Sequence, residues 1–240
     1  MFRYALPFPT APGKTEADIK SIPAYFMSNP AGYAESRKRH GVSLERVYML
    51  PGPMGNVVVA YLESEKPFAE VAHGFATSNL EADRTFVDMV AKIHGVDLHQ
   101  PPAGAPPETV GEWVDAQVTT RKTGLAFMAP LIPGKTEAGR AFAKEAFVKR
   151  VAEFAESRRL LGQNIEIVTL CPTPMGDMIC VYLEGNDPVK GNLGLSTSTR
   201  PFDLWFKGQL KQIFPPQVDF DKPLPPIAQI FDSVAVLARV

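Results

Sequence analysis

The sequence predicts an α+β protein made from one strand-helix-strand-strand-helix-strand unit used twice. Three observations carry this. Residues 12–63 match residues 133–184 without a gap, at 22 of 52 positions and a constant offset of 121. Chance gives only a few identities over such a span, so the chain contains an internal duplication. Each copy also holds a stretch of helical periodicity ending at a glycine, and each holds two strand-like runs around a Pro-x-Pro-Met-Gly turn.

The matched blocks are Pro-Gly-Lys-Thr-Glu-Ala from Pro12 and Pro133, Ala-Glu-Ser-Arg from Ala34 and Ala155, Pro-x-Pro-Met-Gly from Pro51 and Pro172, and Tyr-Leu-Glu from Tyr61 and Tyr182. Taken in order, the first copy opens with Arg3–Phe8 as a strand. A helical pattern then runs to His40 with Gly41 as its stop, and Pro23 and Pro30 must kink or break it. The second copy opens with the apolar run Leu125–Ile132, followed by a helix to Leu161 and a stop at Gly162. Thr15 and Thr136 are candidate N-caps for these helices.

The next strands, Val42–Leu50 with Val57–Glu63 and Gln163–Cys171 with Met178–Glu184, form hairpins. Gly55 and Gly176 at the third turn position suit the positive φ of a type II turn. Downstream, Gly74, Thr77, Ser78, Asp83, Phe86 and Ile93 recur at an offset of 120 as Gly194, Thr197, Ser198, Asp203, Phe206 and Ile213. Ser78 with Glu81 reads as a capping box for the second helix of the first copy, and Ser78 and Ser198 read as helix-start caps. His99–Pro107 and Phe214–Pro226 are Pro-rich connections, and Thr119–Gly124 is the linker, giving repeats at 1–118 and 125–240.

Two such units in tandem are ferredoxin-like repeats. In element order and length they resemble the dimeric α+β barrel superfamily, with both halves on one chain as in its chlorite dismutase-like branch. The resemblance implies apposed antiparallel sheets enclosing a pseudo-twofold barrel within one chain. The superfamily includes small oxygenases, isomerases, haem proteins and binders, so it fixes no activity. An axial histidine of the chlorite dismutase type belongs in the second half. All four histidines, His40, His73, His94 and His99, lie in the first half, so no haem or other cofactor is expected.

Periodicity and register then assign faces. In the second copy Phe147, Val151, Phe154, Arg158 and Leu161 form one helix stripe, and Arg37 occupies the same point in the first. A buried arginine requires a carboxylate. With Pro53 opposite Asn56, Glu45, Val47, Met49, Val58, Ala60 and Leu62 share a sheet face, as do Glu166, Val168, Leu170, Ile179, Val181 and Leu183. Arg37–Glu45 and Arg158–Glu166 are therefore expected as structural ion pairs.

The opposite face carries Tyr48, Tyr61 and Glu63 in one copy and Tyr182 and Glu184 in the other. In a barrel of apposed sheets this face lines the interior, which makes these residues, with His73 and Trp205, the candidate ligand contacts. His73 is placed in a loop before the second helix. Trp205, where the first copy has Thr85, either shapes one pocket or closes the core. The competing reading makes the tyrosines core filler and leaves both glutamates in water at strand ends. Cys171 falls opposite Cys180, and since Leu50 and Val59 occupy these places in the first copy, two small apolar wall residues are favoured over a metal or redox pair.

Other chemistry is not indicated. There are 25 basic and 26 acidic residues, so no nucleic-acid or anionic-membrane footprint exists. No run of apolar residues reaches membrane-spanning length, and the opening segment is too short for a signal peptide, so the expected location is cytoplasmic. Phosphate loops, nucleophile elbows and metal-ligand spacings are missing, and each histidine reads as a lone surface residue. The expectation is a cofactor-free protein that binds a small apolar or mixed-polarity molecule, as a monomer with a complete barrel or as a homodimer. The alternatives are a cofactor-independent monooxygenase or isomerase, with a tyrosine, His73 or a carboxylate moving the proton, and an assembly module with a filled barrel.

Overall fold

The computed structural model describes residues 1–52, 55–100, 105–117 and 119–240. In chain order they form β1 (Phe2–Pro9), α1 (Glu16–Ser28), α2 (Pro30–His40), β2 (Val42–Gly52), β3 (Gly55–Ser64), α3 (Phe68–Thr77), α4 (Glu81–His94) and β4 (Glu108–Val114). The repeat then gives β5 (Thr123–Pro130), α5 (Thr136–Lys144), a π turn at Glu145–Lys149, α6 (Val151–Leu160), β6 (Gln163–Thr173), β7 (Gly176–Gly185), α7 (Pro188–Thr197), α8 (Pro201–Ile213), β8 (Ala228–Asp232) and α9 (Ser233–Leu237). These are two ferredoxin-like α+β units, each a four-stranded antiparallel sheet with helices.

The units do not coincide with repeats at 1–118 and 125–240. One comprises residues 1–106 with 228–240, and the other residues 107–227. Strand order is β1-β3-β2-β8 in the first sheet and β4-β6-β7-β5 in the second. The last strand of each repeat thus completes the other repeat's sheet. The Pro-rich stretches before β4 and β8 carry the chain across, although residues 101–104 of the first stretch lie outside the described residues.

Local chemistry explains the helix layout. Thr15 Oγ1 accepts from Asp18 N at 3.3 Å while Thr15 N donates to Asp18 Oδ2 at 2.8 Å, closing a capping box at α1. Pro23 is accommodated inside α1, and the break comes at Asn29, whose Oδ1 accepts from Gly32 N, with Pro30 as the first residue of α2. The second copy has Val151 where the first has Pro30 and keeps its backbone donor. The helix there continues through a π turn closed by Arg150 N donating to Glu145 O at 2.9 Å. Gly41 and Gly162 both stop their helices at φ +70°.

Three expectations about caps and turns are corrected. The second helical segment of each copy is two helices, parted at residues 78–80 and 198–200. Ser78 and Ser198 do not cap the following helix; they bond Asp83 and Asp203. Thr136 bonds Asp177 and does not act as the cap, which falls on Lys135.

Strand register also shifts by two. Pro51, not Pro53, faces Asn56, and in the second hairpin Thr173 faces Gly176, so a two-residue Pro174-Met175 turn closes on Gly176 at φ +112°. Glycine sits at the closing position, not the third. The matching turn residues Pro53 and Met54 lie outside the described residues. An even shift leaves the face assignment intact. Bulges at Ser43 and Asn164 precede the stretch concerned and leave it undisturbed. Met49 and Val58 accordingly pack with Ile19 and Ile93, and Leu170 and Ile179 with Ile213 and Phe214, under the helices.

Among the described residues no helix is long and apolar enough to cross a membrane. Replacing the α1 cap, Thr15→Ala, should lower unfolding stability by about 1 kcal/mol in denaturant titration, because it removes the hydroxyl that accepts from Asp18 N while the backbone N–H of residue 15 keeps its bond to Asp18 Oδ2. An unchanged midpoint would mean the box carries no weight.

Candidate functional site

Each unit buries an arginine at the same repeat position, Arg37 and Arg158, and around it the sheet and helices are tied together; the first unit also buries Arg46. In the first unit Arg37 Nε donates to Glu45 Oε2 at 2.8 Å and Nη1 to Ser36 Oγ at 2.9 Å; Ser36 bonds Asp83, which also meets His40 Nε2 at 2.8 Å. In the second, Arg158 Nε donates to Glu166 Oε2 at 2.6 Å and Nη1 to Ser157 Oγ at 3.2 Å. Ser157 donates to Asp203 Oδ1 at 2.5 Å. A Glu–Arg–Ser–Asp chain therefore runs from β2 through α2 to α4, and from β6 through α6 to α8.

The fourth partner differs by a coupled exchange. His40 of the first unit corresponds to Leu161, and Leu80 corresponds to Arg200, whose Nε donates to Asp203 Oδ2 at 2.7 Å. Gly74 and Gly194 fit against these exchanged residues: a Cβ there would come within 2.6 Å of His40 and 2.9 Å of Leu161. His40 and His94 are buried, contrary to the surface reading, because one serves Asp83 and the other places Nδ1 2.9 Å from Pro9 O. Burial raises the Asp83 and Asp203 carboxyls, but hydrogen bonds outweigh it and hold both below the usual range. They come from Ser36, Ser78 and His40 to Asp83, and from Ser157, Ser198 and Arg200 to Asp203.

What surrounds the arginine is not the same. The Arg37 guanidinium lies 4.6–4.8 Å from the ring centres of Phe26, Tyr33, Phe75 and Phe86. Arg158 has Phe154 and Phe206, at 4.2 and 4.5 Å. Leu195 stands in place of Phe75. Phe231, opposite Val47 in the first sheet, is matched by Gly111 opposite Val168 in the second. Phe147, the counterpart of Phe26, lies where a Cβ on Gly111 would fall, only 2.5 Å from its ring.

The result is a difference in empty space between helices and sheet. The first unit has a cavity of about 90 Å³, walled by Phe8, Ile22, Phe75 and Phe231 among others. The second has one of about 470 Å³, where Ala129, Ala143 and Leu195 take the places of the first three. Its wall is mainly apolar and includes Arg158, Glu166 and Gln163, and Phe214, Val218, Phe220 and Leu224 of the Pro-rich segment cover it. Gln163 Oε1 is buried without a hydrogen-bond partner among the described residues.

The residues nominated on the other sheet face line neither cavity. Tyr61 Oη donates to Glu63 Oε1 at 2.6 Å, and Arg3 Nε donates to the same oxygen at 3.3 Å. Tyr182 Oη donates to Glu184 Oε2 at 2.7 Å, with Lys122 N on Oε1 at 2.9 Å and Arg121 Nη1 3.4 Å from Oε2. The two glutamates, at 2% and 0% exposure, are buried and paired, not in water. Tyr48 is buried on the same face.

Cys171 faces Met178 and Cys180 faces Thr169, so the cysteines are diagonal rather than opposite. Burial, then Cys171, pushes the Cys180 thiol well above its ordinary range, which keeps it protonated. His73 sits within α3, exposed, instead of in a loop. Trp205 is half-buried against Phe142, Phe202 and Phe206, with the Arg150 guanidinium 3.9 Å from its ring centre. Among the described residues no group of three or more His, Cys, Asp or Glu is gathered in metal-ligand fashion.

No protein-family model matches the chain, and no curated protein does. Among solved structures, a candidate monooxygenase from Fusobacterium nucleatum aligns with a TM-score of 0.51 at 12% identity, over 95% of this chain and 89% of that one. A candidate monooxygenase from Lactobacillus acidophilus gives 0.48 at 9%, over 89% of each chain. An anthrone oxidase-like protein gives 0.46 at 9%, over 95% and 92%. The first of these is a likeness of fold, spanning both units.

Two outcomes follow from the buried network. Arg158→Met should cost about 3–5 kcal/mol by stranding Glu166, whereas Arg158→Met with Glu166→Met should recover most of it. Equal losses in the single and double variants, measured in urea, would refute the pairing. Because the Asp203 carboxyl is depressed in the folded state, its stabilisation is complete above the unfolded carboxylate value of about 3.9 and is lost as pH falls below it. Asp203→Asn should therefore be less stable at neutral pH and show a shallower decline between about pH 4 and 2; parallel acid limbs for variant and wild type would contradict this.

Proposed function

We propose that the chain belongs to the dimeric α+β barrel class with both halves on one polypeptide, and that it binds an apolar small molecule in the cavity of its second unit. The duplicated ferredoxin-like units and the return of each last strand to the other sheet support the class. The observation that carries the binding reading is the contrast in volume, about 470 Å³ against about 90 Å³, between copies of one sequence. A few hundred cubic ångströms with a mainly apolar wall and few polar groups is the usual form of a small-molecule site. The filled-module alternative has no use for such a space.

The enzyme reading keeps one observation of its own. In both units a phenol donates to a buried carboxylate, an arrangement suited to proton transfer in a cofactor-independent oxygenase or isomerase. The monooxygenase description of the Fusobacterium protein agrees with this reading but, at 12% identity, brings only its fold. On this reading the substrate sits away from both cavities, against Tyr182, and Tyr182→Phe stops turnover of any compound that native mass spectrometry finds co-purifying.

Leu195→Phe restores the ring that the first unit carries as Phe75, and should intrude on the second cavity beside Arg158 without breaking a hydrogen bond. The variant is expected to keep its melting temperature within a few degrees. Its affinity for N-phenyl-1-naphthylamine, followed by fluorescence enhancement, should fall by tenfold or more relative to wild type. Wild-type affinity in the variant would place the probe elsewhere and remove the support for this site.

A further inference from the structure

The mainly apolar wall of the second-unit cavity contains the buried Arg158–Glu166 ion pair, beside the polar residues Gln163, Asn192, Ser196, Gln217, Asp219 and Lys222. A guanidinium carries five N–H groups. Arg158 spends Nε and one Nη2 N–H on Glu166, at 2.6 and 3.3 Å, and one Nη1 N–H on Ser157 at 3.2 Å. One N–H on each terminal nitrogen is left beyond these bonds.

In the first unit Arg37 spends only Nε and one Nη1 N–H, and its larger surplus meets aromatic faces. Arg37 is enclosed by four rings, and Glu45, not Arg37, reaches the wall of the small cavity. In the second unit two of those rings are gone from the guanidinium: Leu195 replaces one, and Phe147 is drawn over Gly111. The space they vacate is the cavity, so the surplus donors and the empty volume have a common origin.

We infer that the ligand is an apolar molecule with one uncharged hydrogen-bond acceptor, a ketone or amide carbonyl, seated on the surplus N–H groups of Arg158. This rests on the cavity being the binding site. Charge decides against an anionic end. Arg158 and Glu166 cancel, Asp203 is answered by Arg200 at 2.6 Å, and Lys222 in the wall by Asp219 at 3.0 Å. No net positive charge remains to offset the desolvation of a buried carboxylate. A carbonyl needs no such offset, and a bond to a charged donor is stronger than one between neutral groups.

The test is a matched series of one ring system: 2-acetonaphthone, 2-ethylnaphthalene and 2-naphthoate, titrated into the full chain by calorimetry, with the ketone C=O stretch followed by infrared difference spectroscopy. The ketone should bind about tenfold tighter than the hydrocarbon, the scale of one hydrogen bond to a charged group. The carboxylate should bind weakest, and the C=O band should move to lower frequency on binding.

In the Arg158→Met, Glu166→Met double variant the preference for the ketone should vanish while 2-ethylnaphthalene binds as to wild type. Should that variant not fold, the wild-type series and the infrared band still decide. Equal affinities for ketone and hydrocarbon with an unmoved band would overturn the inference and leave the cavity reading standing. A preference for naphthoate would overturn the uncharged end. Failure of all three to bind the folded chain would overturn both readings.

Discussion

In each unit the buried arginine at the shared repeat position, Arg37 or Arg158, holds the helices to the sheet. A guanidinium out of water is tolerated only where opposite charge and acceptors surround it. At Arg37 and Arg158 that surrounding comes from three elements at once: a glutamate on the second strand of the repeat, a serine beside the arginine, and an aspartate on the fourth helix. Shifting any of these elements by a few ångströms leaves a buried charge uncompensated. The members of this chain of contacts, Ser-Arg on the helix, the strand glutamate and the distant aspartate, are identical in the two copies.

Around that fixed frame the copies drifted in compensated pairs. Where the first copy has His40 and Leu80 the second has Leu161 and Arg200, so each aspartate has one cationic or imidazole partner. Losing the large ring at position 111 drew Phe147 over the bare backbone, and the π turn lies at the step where the first copy breaks at Asn29 and Pro30. These exchanges conserve charge pairing, but they do not conserve volume. Phenylalanine to alanine at 129, isoleucine to alanine at 143 and phenylalanine to leucine at 195 all remove side-chain atoms from one region, and the larger cavity appears there.

Much of this was legible from residues alone, and the reasons differ by feature. The duplication supplied an alignment, and alternation of polar and apolar residues fixed which strand faces meet helices; a two-residue error in register did no harm, because parity has a period of two. Arg37 and Arg158 stood out as charges on apolar stripes. Ser36, Asp83 and their counterparts were visible as repeated polar residues, but only folding shows that they share one network. Strand β4 was recognisable as a strand and not as a partner of β6, since hydrophobic pattern carries no address. The cavity was the least legible feature: it is a sum of small differences in side-chain volume at positions that meet only after folding.

That sum bears on stability as well as on binding. Empty space against an apolar wall is destabilising, because the lining side chains lack the contacts that a filled core supplies. Water can hydrate the Arg158–Glu166 end, yet it gains little along walls of phenylalanine, valine and leucine. An occupant with an apolar body satisfies both parts of the wall and returns the dispersion contacts that the missing rings took away. Binding to the folded state alone then adds RT ln(1 + [L]/Kd) to its stability. Of the two units, the second has the less filled core and so the more to gain from an occupant.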